Sequence, residues 1–377
     1  MLIKDPQPTQ RDKLLDSLKG YTQHLGTPVF IKYLDLGTKV VRLINYSHAF
    51  TPFVEDQLAY ILKDDMPSYD ATLIIWHEKD MAELLLAIYK RYDMRAYIQI
   101  RAARLREQKT GVHDSTIELR VYDEESLHRH PLININAGTG LASAFDPRTN
   151  TYYYSASDLS PEEFIKHGHL FVHTLSKILK SPTSNLGHGA VIGLNGIGVL
   201  FCGVGYRGKS TFAVNALLHG FEYVSDDYIS FGKKNETLLA WPIYSIITLS
   251  PMIWQFMKRR LHADFISNNG RKDKYVFSIA RYHNQFVSGY PIKLCIYPRF
   301  VQDAEPSIDT GEKSQALEEF VLSSLRQTGD AEDVEAIAKL YSFVKDLPYY
   351  RINLTANLDK NTQCLKEFLE KMSNHAS

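Results

Sequence analysis

Val199-Leu200-Phe201-Cys202-Gly203-Val204-Gly205-Tyr206-Arg207-Gly208-Lys209-Ser210 is the run from which the rest of the chain is read. Its first four residues are apolar and long enough for a buried strand. The next eight satisfy G-x-x-x-x-G-K-[ST], a phosphate-binding loop when it joins a strand to a helix. A helix is expected to follow, with Phe212, Ala213, Ala216 and Leu217 on one face and Gly220 ending it. The chemistry asks for these residue types. Glycines let backbone N–H groups curl around phosphate oxygens, and a helix N-terminus adds partial positive charge. Lys209 is placed to reach the terminal phosphates, and the Ser210 hydroxyl to bind Mg2+. The nucleotide-binding set expected from the loop is Gly203, Gly205, Arg207, Gly208, Lys209, Ser210 and Thr211.

Further on, 222–225 read as a strand that ends in Asp226-Asp227. Two carboxylates at a strand end, just after the loop's helix, lie near the phosphate end of a nucleotide. One can hold Mg2+, and the other can take the proton of an attacking hydroxyl. The competing reading is an aspartate pair that caps a turn. His188 by itself reads as a strand or core histidine.

Composition narrows the partners. At 377 residues the chain exceeds one typical core, so two domains are expected. It is 44% hydrophobic and 23% charged, the balance of a soluble globular protein. Lys plus Arg and Asp plus Glu both total 43, so no overall basic field draws nucleic acid. Cys202, Cys295 and Cys364 are scattered, with no C-x-x-C pair, and neither a zinc site nor a disulfide framework is expected. Cys202 and Cys295 fall in apolar runs and read as small core residues. No run approaches the length of a membrane span, and the N-terminus has no apolar signal-like segment. No membrane partner is expected, and a cytoplasmic location is.

Before residue 180 the pattern is mixed. Helices are expected at 13–25, from Thr51-Pro52 to about 63, and at 81–90, with a hairpin of 29–34 and 39–44 around Gly37. Strands are expected at 71–76, 116–122, 132–136 and 152–155. The capping box Ser160-Pro161-Glu162-Glu163 opens a helix with Phe164, Phe171, Leu175 and Ile178 at helical spacing. No catalytic motif appears in this region. His169 and His173 have the i, i+4 spacing of a metal pair on a helix, but no Glu follows the first His as in H-E-x-x-H, so they read as ordinary surface or core histidines. The basic run at 101–106 reads as a solvated helix face with room for an acidic peptide. Ser181-Pro182-Thr183-Ser184 reads as a linker. The chain then divides into a mixed α/β accessory or substrate-recognition domain, 1–180, and a nucleotide-binding domain, 184–377. In the second, strands are expected at 188–194, 198–202, 222–225, 228–231, 241–249, 275–279, 292–297 and 351–354, and helices at 251–260, 314–325, 331–345 and 361–372.

Residues 184–371, about half the chain, resemble the catalytic core of the HPr kinase/phosphorylase family. They are particularly similar to the HPr-kinase-related kinases that accompany ribosomally made peptides, including those that phosphorylate the C-terminal serine of lasso peptides. The resemblance rests on His188-Gly189, Gly196-Ile197-Gly198-Val199-Leu200, Gly203 through Ser210, His219-Gly220-Phe221 and Val224-Ser225-Asp226-Asp227, in that order. Leu347-Pro348-Tyr349-Tyr350-Arg351-Ile352 adds a weaker match. The resemblance implies an α/β P-loop core related to that of phosphoenolpyruvate carboxykinase, preceded here by a mixed N-terminal domain. It implies ATP and Mg2+ as cofactors, and a possible homo-oligomer. Asp226 matches the general base toward the substrate serine. Asp227 matches its neighbour near the metal and phosphates. His188 matches the histidine that helps set their charge state. Lys209 and Ser210 match the phosphate and Mg2+ ligands. The chain departs from the family at Gly205-Tyr206, where family loops carry Ser-Gly. The arginine-rich second signature is not recognisable, and Arg271 or Lys274 is the candidate replacement for its cation. The N-terminal region also differs, so neither HPr as acceptor nor reverse phosphorylase activity is expected. The function expected is a Mg2+- and ATP-dependent kinase acting on a serine or threonine hydroxyl of a peptide or small protein. Two alternatives stay open. The acceptor could be a small metabolite, since the loop says nothing about it, or the chain could be a nucleotide-gated binding protein without turnover.

Overall fold

The computed structural model describes residues 10–77, 97–103, 116–122, 133–136, 141–156, 169–203, 207–268, 275–302, 304–328 and 334–376. The helix expected at 81–90, the capping box at 160–163, the basic positions 104–106, Arg271, Lys274 and the loop centre Val204-Gly205-Tyr206 lie outside the described residues. The chain is a mixed α/β protein with two compact units. One comprises 1–33, 41–52 and 63–167, and the other 34–40, 53–62 and 168–377. Among the described residues no helix is long and apolar enough to cross a membrane.

Among the described residues the first sheet has nine strands. Helix α1 spans Gln10–Gln23 and α2 spans Thr51–Leu58. The strands are β1 (Phe30–Asp35), β2 (Val40–Asn45), β3 (Leu62–Lys63), β4 (Ala71–His77), β5 (Tyr97–Ala103), β6 (Thr116–Tyr122), β7 (Ile133–Asn136), β8 (Leu141–Asp146) and β9 (Thr151–Ala156). They lie in the order β3-β1-β2-β4-β9-β8-β7-β6-β5. In β2, Val41, Leu43 and Asn45 alternate inward, the period-two burial of a strand covered on one face. Residues 101–103 belong to β5, not to a helix, with Arg101 in register opposite Glu118 of β6. The basic spacing suits either structure, and antiparallel pairing with β6 decides it.

The second unit is built on another sheet, with nine strands among the described residues. Its strands are β10 (Ser184–His188), β11 (Ala190–Leu194), β12 (Ile197–Phe201), β13 (Glu222–Ser225), β14 (Tyr228–Lys234), β15 (Thr237–Pro242), β19 (Tyr290–Phe300), β20 (Ser307–Thr310) and β21 (Tyr349–Leu354). The order is β10-β14-β15-β19-β12-β11-β13, with β21 pairing with β19 and β20 with β21. A small sheet, β16-β18-β17, is made by Ile246–Leu249, Tyr275–Ser278 and Asp264–Asn268. The helices are α3 (Val172–Leu179), α4 (Lys209–Leu218), α5 (Pro251–Met257), α6 (Lys313–Thr328), α7 (Val334–Val344) and α8 (Leu358–Ala376).

Strand alternation explains the layers. Val199 and Phe201 of β12 face a core shared with Phe212, Ala213 and Leu217 of α4 and Leu365 and Leu369 of α8. Leu200 and Cys202 face the opposite core, with Leu317, Phe320 and Val321 of α6 and Leu340 and Phe343 of α7. A sheet buried on both faces needs near-continuous apolar strands, and β11 and β12 have them. Cys202 and Cys295 are fully buried, as small core residues.

Several expected elements differ. The run 188–194 is two pieces, β10 ending at His188 and β11 starting at Ala190. The run 241–249 is likewise divided between β15 and β16. The helix expected from 160 has its first part outside the described residues; it is not continuous through Phe171, which turns left-handed with φ 61° just before α3 begins at Val172. Ser181–Ser184 is a tight turn rather than a free linker. Ser184 is buried, and its hydroxyl donates to the Leu179 carbonyl at 2.7 Å. That turn ties α3 to β10, so residues 169–180 pack with the second unit.

Candidate functional site

Three strand ends meet at one end of the second sheet. β11 is antiparallel to both β12 and β13, so those two run the same way. Ala190 pairs with Phe201 and Val191 with Ser225, which puts the ends of β12 and β13 level. The chain leaving β12 enters the glycine loop, and the chain leaving β13 is Asp226-Asp227. β10 ends beside them, with His188 opposite Tyr228. Gly189 then donates its N–H to the Asp227 carbonyl at 2.7 Å. A Cβ on Gly189 would lie only 3.0 Å from the Phe201 carbonyl oxygen and from Leu200 Cδ1. Glycine is what lets the strand end come this close to its neighbours.

The loop has the conformation its glycines permit. Gly203 has φ 137° and Gly208 φ 89°, where a side chain would be strained. Gly208 is the N-cap of α4, with no side-chain cap and no acidic residue in the first turn. Phe212 N–H closes on the Gly208 carbonyl at 2.9 Å, which sets the start of the helix one residue after the glycine. The Lys209 side chain is buried and donates to the Gly203 carbonyl at 2.6 Å. Ser210 Oγ lies 3.5 Å from the Asp226 carbonyl oxygen. Arg207 is half exposed, with Nη2 4.0 Å from Glu319 Oε1 on α6. Gly205 falls in the undescribed loop centre.

The carboxylates sit in different surroundings. Asp227 Oδ1 is 2.7 Å from His188 Nε2, and Oδ2 is 3.6 Å from His169 Nδ1. The far nitrogen of His188, Nδ1, is 2.5 Å from Ser323 Oγ. The His188 backbone N–H donates to Ser324 Oγ at 2.9 Å. Burial works against charge on Asp227. It is outweighed by His188, through charge and hydrogen bond, and then by His169 and Lys209, which hold the carboxyl well below the usual range. Asp226 is buried more deeply. Burial also pushes the Tyr223 phenol well up, and the negative charge of Asp226 adds to the shift. Tyr228 OH donates to Gln327 Oε1 at 2.9 Å.

The described loop residues, His188 and both aspartates are therefore brought together at one sheet end. Sequence reasoning missed His169, Glu319, Ser323 and Gln327. The last three had only a spacing signal: they recur every fourth residue and so share one face of α6, with nothing to say what that face meets. His169 had none. The helical His169/His173 pair does not form, because α3 starts only at Val172 and His173 is exposed.

No protein-family model and no curated protein matches the chain. Among solved structures, it is similar to the Hpr(Ser) kinase/phosphatase from Coxiella burnetii, at 14% identity and a TM-score of 0.29, over 51% of this chain and 94% of that one.

Proposed function

We propose that the chain is a phosphotransferase that uses Mg2+ and ATP to phosphorylate a serine or threonine hydroxyl of a peptide or small protein. One observation carries the reading: the glycine loop with Lys209 and the Asp226-Asp227 pair stand at the same end of one sheet, with Asp227 held ionised against His188. The donors suit the ligands. Ser210 offers a hydroxyl and Asp227 a carboxylate, the oxygen ligands Mg2+ takes beside phosphates. The left-handed Gly203 and Gly208 and the uncapped start of α4 suit an anion.

In this mechanism the N–H groups at the start of α4 and the Lys209 ammonium hold the phosphate chain. Bound Mg2+ supplies neutralisation of the β- and γ-phosphate charge. Asp226 accepts the proton of the acceptor hydroxyl. Asp227, kept anionic by His188, is the carboxylate available to the cation. Little covalent chemistry is asked of the protein, and positioning supplies most of the rate.

The test is incubation with γ-labelled ATP and Mg2+ in a lysate of the source cells, with Lys209→Ala and Asp226→Asn as controls. Label in a peptide or protein fraction, lost with both variants, is the expected outcome. Label confined to small molecules would replace the acceptor class. ATP bound with no transfer anywhere would overturn the enzyme reading in favour of a nucleotide-gated binding protein.

A further inference from the structure

His169 lies far from the loop motif in sequence, yet its side chain is only 6% exposed and faces Asp227 Oδ2 at 3.6 Å, while His188 takes Oδ1. Its ring packs against Tyr228 and Tyr244, with centroids 4.7 and 4.4 Å away. The chain just after it is tied down on both sides. The Leu170 N–H donates to Gln57 Oε1 at 2.9 Å, and its carbonyl accepts from Tyr244 OH at 2.7 Å. Phe171 is buried and left-handed, at φ 61° and ψ 14°, an unfavourable conformation for a bulky side chain. Such strain persists only where the surroundings over-determine it, and it clusters at functional sites.

We propose that His169 is a positioning residue of this site, delivered by the strained turn at Leu170-Phe171 to hold the second oxygen of Asp227 while His188 holds the first. Two imidazoles on opposite oxygens fix the plane of the carboxylate, which one imidazole leaves free to rotate about χ2. The catalytic consequence rests on the phosphotransferase reading; the clamp itself does not.

Two measurements on the full chain separate them. The first needs no activity. With 15N-labelled histidine, the ring nitrogens of His169 and His188 are followed by NMR in the wild type and in Asp227→Asn. Both residues are expected to shift; a His169 signal unmoved while His188 moves would overturn the clamp. The second is turnover. His169→Ala is expected to lower kcat about 10- to 100-fold, the range for supporting partners of a site, with KM for ATP within about twofold. His169→Gln, which keeps a donor, is expected to recover part of the loss. Wild-type kcat in a folded His169→Ala protein would overturn the proposal. If the wild type transfers no phosphate at all, the kinase reading fails, and the NMR result still decides the clamp.

Discussion

Asp226 and Asp227 are neighbours in sequence with different surroundings, and the separate tasks proposed for them follow from what each side chain meets. Asp227 is partly accessible and flanked by imidazoles; Asp226 is more deeply buried, beside Tyr223. Asp226→Asn is expected to keep ATP affinity and cut transfer by about 10²- to 10⁴-fold, the usual contribution of a general base. ATP titration and a single-turnover assay check both halves, and an active Asn variant would remove Asp226 from the base role. Ser323 bears on His188 rather than on substrate. Its hydroxyl at Nδ1 fixes which ring nitrogen faces Asp227. Ser323→Ala should slow transfer about tenfold without changing MgATP affinity, and Ser323→Thr should restore most of it.

At the scale of elements, the start of α4 is the sensitive point. Gly208 caps the helix at φ 89°. An alanine there costs about 1–2 kcal/mol for left-handed backbone and disturbs the N–H groups proposed to hold a phosphate. Gly208→Ala should therefore lower both the denaturation midpoint and ATP affinity, and an unchanged affinity would argue against the loop as the phosphate site. The start of α8 carries a smaller term. Asp359 meets Arg260 Nη1 at 2.8 Å and His219 Nε2 at 3.4 Å. The Arg260 hydrogen bond is the main cause of its lowered carboxyl pKa. A carboxyl lowered on folding stabilises above its unfolded pKa, about 3.9, and that stabilisation is lost as the pH falls through the folded value. Asp359 is more than half exposed, so the effect is below about 1 kcal/mol. Asp359→Asn should lower thermal stability slightly near neutral pH, and the difference should fade in strong acid and in about 1 M salt.

For the whole molecule, the second unit borrows pieces from the first third of the chain. A Cβ on Gly37 would meet the Trp241 ring at 2.1 Å, so the hairpin tip is seated on β15. The Gln57 carbonyl accepts from Ser245 N–H at 2.7 Å, and Tyr60 stacks on Phe286 with centroids 5.1 Å apart. A fragment beginning at residue 184 loses all of these and His169. It should melt at least about 5 °C below the full chain, the equivalent of about 2 kcal/mol at this size. A fragment as stable as the full chain would show that 34–40 and 53–62 contribute nothing to this unit.

What was legible in the sequence was local. The apolar run in 198–202, glycines at the turns of the loop and the aspartates after 222–225 all act within a few residues, and the structure bears out the strand, the helix and their order. The break at Gly189 was not legible, because it answers to the Phe201 carbonyl and Asp227, which only folding brings near. The same holds for the face of α6 that carries Glu319, Ser323 and Gln327, whose direction depends on how the helix lies across the sheet. It holds most of all for His169, whose reach to Asp227 depends on a left-handed phenylalanine and a glutamine from α2. By itself the sequence determined that a phosphate-type loop and two carboxylates exist in a mixed α/β chain. The tertiary structure alone decided which side chains surround those carboxylates, because burial and charge at a strand end come from residues distant in the chain.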